Sequence, residues 1–388
     1  MQKTKTYVSD TVSRLKPSGI RRFFDLAASM EGVISLGVGE PDFITPWSVR
    51  EACILSLEQG YTSYTANAGL WELRKEISDY VARRFHVLYD PADEIIVTVG
   101  ASQALDVSLR AILNPGDEVI VVEPSFVSYA PLVSLAGGVP IPIQTSGKHQ
   151  FKLQPEQIEQ VVTPKTKALI ICSPNNPTGT VLNAEELAQI ARIVEKHDLL
   201  VISDEIYAEL CYEEQYTSFP AIDRMRERTI LINGFSKGFA MTGWRLGFIA
   251  APRELATAML KIHQYTMMCA PTMAQYAAIE ALQNGAADVE QMKKSYRQRR
   301  NFFVQSLNEI GLSCHMPGGA FYAFPSIRST GMTSERFAER LLLEEKVAVV
   351  PGHVFGVSGE GYIRCSYASS LEQLQEAIRR MKRFLERL

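Results

Sequence analysis

The chain has 388 residues, 46% hydrophobic and 21% charged, the balance of an ordinary soluble globular protein. That length suggests about two or three domains. A formal net charge of −3 argues against nucleic acid as the main partner, because phosphate binding needs a basic surface. No segment approaches about eighteen uninterrupted apolar residues, so no membrane-spanning helix is expected. The stretch Met1-Gln-Lys-Thr-Lys-Thr-Tyr7 lacks the apolar run of a signal peptide, so a cytoplasmic location is expected. Six cysteines stand at 53, 172, 211, 269, 314 and 365 with no CxxC pair. They read as reduced core residues, and no metal site is expected.

Between about residues 95 and 250, short β-rich runs alternate with amphipathic helices. The runs are Glu94–Val99, Glu118–Val122, Val139–Ile143, Ala168–Cys172, Leu199–Ser203, Thr229–Asn233 and Leu246–Ala250. Nearly continuous apolar runs fit strands buried on both faces of a mostly parallel sheet. Asn183 reads as an N-cap, with Glu186 three residues on. Asn114-Pro-Gly-Asp117 reads as a turn before the next strand. After Ala250 a helical stretch runs to about Leu312, broken near Ala270-Pro271 and Asn284-Gly285. Short strands at Ala320–Phe324 and Tyr362–Cys365 follow, with helices at about 333–344 and 370–387. This predicts an α/β fold: a large domain with a seven-stranded, mostly parallel sheet between helices, and a smaller α+β domain. No internal repeat or low-complexity tract interrupts it.

One segment stands out: Asn233-Gly-Phe-Ser-Lys237-Gly-Phe-Ala-Met-Thr-Gly-Trp-Arg245-Leu-Gly247. It sets a lysine among apolar and small residues, with an arginine eight positions on. A lysine forms a Schiff base only as the neutral amine, and apolar surroundings or a nearby cation lower its pKa. Arg245 can be that cation and still bind a phosphate through its planar fork. Read alone, Lys237 is a surface lysine in a glycine-rich loop. Other segments weigh against that. Gly100-Ala101-Ser102 leads from a strand into a helix, and free amides at a helix N-terminus make an anion site. No GxxxxGK[ST] and no GxGxxG after a strand is present, so neither a P-loop nor a dinucleotide site is supported. Arg364 sits at a strand end in an apolar setting and wants an anionic partner, either a structural carboxylate or a ligand.

These motifs, in order, resemble the class I aminotransferases, fold-type I enzymes that use pyridoxal 5′-phosphate (PLP). Alongside the lysine segment, the resemblance includes Gly39-Glu-Pro-Asp-Phe43, Tyr61-Thr-Ser-Tyr64, Gly100-Ala-Ser-Gln-Ala-Leu105, Ser173-Pro-Asn-Asn-Pro-Thr-Gly179 and Ser203-Asp-Glu-Ile-Tyr207. It continues through Gly318-Gly-Ala-Phe-Tyr322, Val349-Val-Pro-Gly352 and Ile363-Arg-Cys-Ser366. Within the class, the chain is most similar to the subgroup of aspartate, aromatic and N-acetyl-diaminopimelate aminotransferases. The resemblance implies a large domain over 47–285 and a small one from 1–46 with 286–388.

It also implies roles for single residues. Lys237 carries the cofactor, and Asp204 keeps the pyridine nitrogen protonated. Tyr207 and Asn176 bond the phenolic oxygen. Phe126 stacks on the ring, and Ala101, Ser102, Ser236 and Arg245 hold the phosphate. Arg364 grips the substrate α-carboxylate, and Gly39 and Asn176 join it in binding the substrate. Tyr64 reaches the phosphate of a neighbouring subunit, which makes the enzyme a homodimer with shared sites. Taken singly, Asp204 is also a strand-end cap, Asn176 a turn residue, Phe126 and Tyr207 core aromatics, and Tyr64 an exposed turn tyrosine. Relatives often carry a hydroxyl residue three positions before the lysine; here Gly234 stands there, so one phosphate contact is missing or replaced by water.

The implied reaction passes an amino group between an L-amino acid and a 2-oxoacid by a ping-pong scheme. One rival is a PLP-dependent C–S β-lyase, told apart by pyruvate and ammonia release without an oxoacid acceptor. A second is a PLP-sensing regulator; that class carries a DNA-binding domain ahead of the first motif, and none is expected here. For the substrate side chain, Pro17-Ser-Gly-Ile-Arg-Arg22 and Tyr265–Pro271 are the candidate pocket walls.

Overall fold

The computed structural model describes residues 7–15, 17, 19, 30–212 and 215–388. Seven strands form the main sheet: β2 (Ile95–Thr98), β3 (Glu118–Glu123), β4 (Val139–Gln144), β5 (Thr166–Cys172), β6 (Leu200–Asp204), β7 (Thr229–Gly234) and β8 (Gly247–Ala250). Their order is β2-β8-β7-β6-β5-β3-β4. All neighbours are parallel except β8, which runs antiparallel to both β2 and β7. β2, β7 and β8 are buried at every position, which explains their unbroken apolar runs. Helices Gly100–Ile112 and Ala184–Lys196 each bury one apolar stripe. Asn183 caps the latter reciprocally: its side chain accepts from the Glu186 N–H at 2.9 Å, and Glu186 accepts from the Asn183 N–H at 2.9 Å.

After β8 come three helices, Arg253–Thr266, Thr272–Asn284 and Ala286–Glu309. Pro271 stands at the N-cap of the second and Gly285 separates the second from the third, as the turn chemistry of those residues predicts. A second sheet follows, β11 (Val350–Pro351), β12 (Ile363–Ser366) and β9 (Tyr322–Ala323), all antiparallel. β9 is shorter than the run Ala320–Phe324 predicts. Ala320 has φ +58°, and its carbonyl accepts the hydroxyls of Tyr212 and Tyr367 instead of a ladder partner. Two final helices, Ser334–Glu345 and Leu371–Glu386, pack against this sheet's core. β1 (Ile34–Ser35) pairs in parallel with β10 (Val347–Ala348), so this early segment joins the C-terminal core. Cys211, Cys314 and Cys365 are buried, and Cys53, Cys172 and Cys269 are half-buried. Among the described residues no helix is long and apolar enough to cross a membrane.

Candidate active site

The main sheet changes winding direction between β3 and β5, and open α/β sheets bind ligands outside the carboxyl ends of the strands at such a point. A cavity of 760 Å³ opens there. Five strands deliver residues to it from the carboxyl end or the loop beyond: Ala101 and Ser102 after β2, Phe126 after β3, Asn176 after β5, Asp204 and Tyr207 from β6, Ser236 and Lys237 after β7. Arg245 lies just before β8, Arg364 comes from the second sheet, and Gly39 from the loop after β1.

Lys237 donates a 2.6 Å hydrogen bond to the Gly39 carbonyl. Its pKa is lowered to about 8, chiefly by burial and also by Arg364 and Arg245, against the opposing pull of Glu40 and Asp204. Both the apolar setting and the Arg245 cation expected from sequence therefore act, with a larger push from Arg364.

Asp204 is 4% exposed. Its Oδ2 accepts the Tyr129 hydroxyl at 2.7 Å and its Oδ1 the Ile206 N–H at 3.3 Å. Burial raises its pKa, opposed by those two bonds and by Lys237. A cation placed against this carboxylate would recover much of its desolvation cost.

Arg245 has φ +55° and donates to the Thr242 carbonyl at 2.9 Å. Its guanidinium passes so close to Gly100 that a Cβ there would lie 2.7 Å from Nη2. The bare backbone lets the arginine fork sit at the N-terminus of Gly100–Ile112, beside Ala101 and Ser102. Gly234 pairs across the ladder with Gly247. A Cβ at Gly234 would fall 2.9 Å from the Gly247 Cα, and one at Gly247 would fall 2.8 Å from the Ala101 N. A hydroxyl side chain thus has no room at 234 in this backbone; the glycine pair brings the lysine loop and the helix start together.

Arg364 is 3% exposed and sandwiched between the rings of Tyr322 at 4.5 Å and Phe355 at 5.1 Å. It donates to Asn176 Oδ1 at 3.0 Å and to the Gly37 carbonyl at 2.6 Å. Its Nε is buried without a partner, and no carboxylate among the described residues pairs with it. A structural salt bridge among the described residues therefore does not explain this arginine.

The cavity also holds residues that sequence reasoning gave no role: Tyr129, Tyr322 and Glu40. Tyr322 and Glu40 stand inside the Gly318–Tyr322 and Gly39–Phe43 motifs, which is the signal that marks them. Tyr129 had only its place three residues after Phe126. Two expected residue groups lie elsewhere. Tyr64 is 79% exposed and lines no part of this chain's cavity. Nor does Tyr265–Pro271 line this chain's cavity. That segment is tied instead to the loop carrying Tyr64, through Asn67 to the Met268 carbonyl at 2.8 Å and Thr272 to the Ser63 carbonyl at 2.8 Å. Ser18, Ile20, Arg21 and Arg22 of the other candidate wall lie outside the described residues.

A family model described as "Aminotransferase class I and II" matches residues 31–381. The chain is 69% identical to the YugH protein of Bacillus subtilis (strain 168), over 98% of this chain and 99% of that one. It is 49% identical to an aspartate aminotransferase of Pyrococcus abyssi (strain GE5 / Orsay), over 97% and 98% of the two. The solved aromatic aminotransferase from Pyrococcus horikoshii OT3 superposes with a TM-score of 0.91 at 47% identity, covering 95% of this chain and 99% of that one. The chain belongs to the class I and II aminotransferase family. It is a PLP-dependent aminotransferase, and the β-lyase alternative is not favoured. The residues present fit PLP: a buried carboxyl, a lysine with a lowered pKa, and an arginine fork brought to a helix N-terminus by the bare backbone of Gly100.

Proposed function

We propose that this cavity transfers an amino group from an L-amino acid to a 2-oxoacid in a ping-pong cycle. The observation that carries this is the placing of Lys237 among Asp204, Arg245 and Arg364 in one cavity. When bound, PLP supplies an electron sink for negative charge developing at the substrate Cα. Ala101, Ser102, Ser236 and Arg245 would hold its phosphate at the helix start. Phe126 would cover the ring, worth about 0.5–1.5 kcal/mol beyond burial. Asp204, steadied by Tyr129, would hold the proton on the ring nitrogen. Asn176 and Tyr207 would bond the phenolic oxygen. Arg364 grips the substrate carboxylate through its free Nε edge, with Gly39 closing that end of the cavity. Lys237 Nζ, as the neutral amine, would take the proton from the substrate Cα as base and deliver it as acid to the cofactor's C4′ carbon.

We read the chain as two domains, 47–285 and 1–46 with 286–388. Supporting this, β1 packs with the C-terminal core rather than with the main sheet. We further read it as a cytoplasmic homodimer in which Tyr64 reaches the phosphate site of the other subunit. In support, Tyr64, Tyr265, Met267 and Met268 are all exposed around one surface, and exposed apolar patches of that kind mark contact sites. Related proteins are named for aspartate and for aromatic amino acids. A panel of acidic, aromatic and aliphatic donors, read by conversion of the cofactor absorption to its pyridoxamine form, tests the activity. Conversion by at least one donor, reversed by a 2-oxoacid, is expected; release of pyruvate and ammonia from a cysteine conjugate without acceptor would instead establish a lyase.

A further inference from the structure

Tyr322 is buried in the cavity wall with its hydroxyl 2.8 Å from the hydroxyl of Tyr207. No other hydrogen bond is made by that hydroxyl among the described residues. Its ring lies 4.5 Å beneath the Arg364 guanidinium. The two side chains sit on one face of the second sheet, because Tyr322 pairs with Ser366, two residues beyond Arg364. Tyr207 instead follows β6 of the main sheet. The hydroxyl pair therefore joins the two sheets across the cavity. The Gly39 loop presses on the same point: a Cβ at Gly39 would lie 2.7 Å from the Tyr322 hydroxyl.

We propose that Tyr322 is a positioning residue that couples the carboxylate grip of Arg364 to the hydrogen bond Tyr207 offers the cofactor's phenolic oxygen. The inference rests on the aminotransferase reading of this cavity. Tyr207 has one proton. Once that proton is given to the phenolic oxygen, the Tyr207 oxygen can only accept from Tyr322. A hydroxyl that accepts a bond donates a stronger one. The Arg364 charge against the Tyr322 ring makes Tyr322 a better donor still. A substrate carboxylate neutralises that charge, so the chain of bonds relaxes. The phenolic oxygen regains electron density, and the nitrogen joining Lys237 to the cofactor becomes more basic. Carboxylate binding thereby helps ready the base through Tyr322 and Tyr207, alongside the direct Arg364–Asn176 bond. The groups facing Tyr322 are Arg364 from β12, Tyr207 beyond β6, Cys172 from β5 and Glu40 from the loop after β1. Arg364 is the one cation among them.

The test is a pH titration of the visible absorption of the holoenzyme, with and without succinate or 3-phenylpropanoate, which carry carboxylates but no amine. In the unchanged enzyme the midpoint should rise when either ligand binds. Tyr322→Phe keeps the ring under Arg364 and removes only the hydroxyl. Its ligand-free midpoint should lie about half a pH unit higher, roughly a threefold gain in proton affinity. The upward shift caused by ligand should shrink by half or more. A Tyr207→Phe variant should raise the midpoint further, and adding Tyr322→Phe to it should change nothing more, since the two hydroxyls act in series. If Tyr322→Phe loses its cofactor, the comparison moves to Tyr322→Met against the same Tyr207→Phe background, with the same non-additivity expected. Midpoints and ligand shifts equal to those of the unchanged enzyme, or additive effects of the two substitutions, would overturn the coupling. An unchanged enzyme with no visible cofactor absorption would instead overturn the cavity assignment on which it rests.

Discussion

The hydroxyl of Tyr129 donates a 2.7 Å hydrogen bond to Asp204 Oδ2, and both side chains are buried. Burial pushes the Asp204 pKa up, and this bond holds it down. Removing the hydroxyl should therefore favour the protonated carboxyl and weaken its hold on the ring nitrogen. Tyr129→Phe should weaken PLP binding about three- to tenfold, the net worth of one ordinary hydrogen bond. Absorbance titration of the cofactor-free protein measures it. An unchanged affinity would show that Asp204 needs no support.

Lys237, lowered to about 8, should set the pH at which cofactor-free protein captures PLP. Capture needs the neutral amine, so the rate should climb with pH and level off above that value. Arg364 lowers the lysine and Glu40 raises it. The midpoint should accordingly move up in Arg364→Gln and down in Glu40→Gln. Stopped-flow absorbance across pH reads all three proteins; shifts of the opposite sign would refute the charge assignment.

Gly234→Ser should not restore a phosphate contact. Its Cβ would meet the Gly247 Cα at 2.9 Å, and such overpacking costs about 1–3 kcal/mol. Urea unfolding should show that loss together with weaker PLP binding. Tighter binding at unchanged stability would mean that the two strands part readily.

The main-chain plan of this molecule is legible from its sequence, because each strand of the main sheet is a continuous apolar run ended by turn residues. Lys237, Asp204 and Arg364 are legible because their motifs are local. Tyr129 and Tyr322 are less so, since each acts through a partner 75 or 115 residues away, and a lone tyrosine reads as core. The shortening of β9 was hidden for a similar reason: Ala320 turns its carbonyl toward two tyrosines from distant segments. Tyr64 shows the converse, a motif residue whose own chain provides no site for it to line.

If Tyr64 serves the other subunit, mixing two impaired variants should show it. One carries Lys237→Ala, the other Tyr64→Phe with Arg364→Ala. In mixed dimers the site retaining Lys237 regains an intact Tyr64 from its partner. Its PLP affinity should recover several-fold, the worth of about one hydrogen bond, while substrate affinity stays poor. Affinity fixed at the Tyr64→Phe level in proven mixed dimers would place Tyr64 outside the shared site.

The central claim is that Lys237 carries the cofactor. Borohydride reduction of the yellow holoenzyme, followed by peptide mass mapping, tests it most directly. The reduced pyridoxyl group should sit on Lys237 and on no other lysine. Lys237→Ala should still bind PLP weakly through the phosphate site, yet take up no label and transfer no amino group. Label on a different lysine, or purified protein that holds no PLP, would contradict the account.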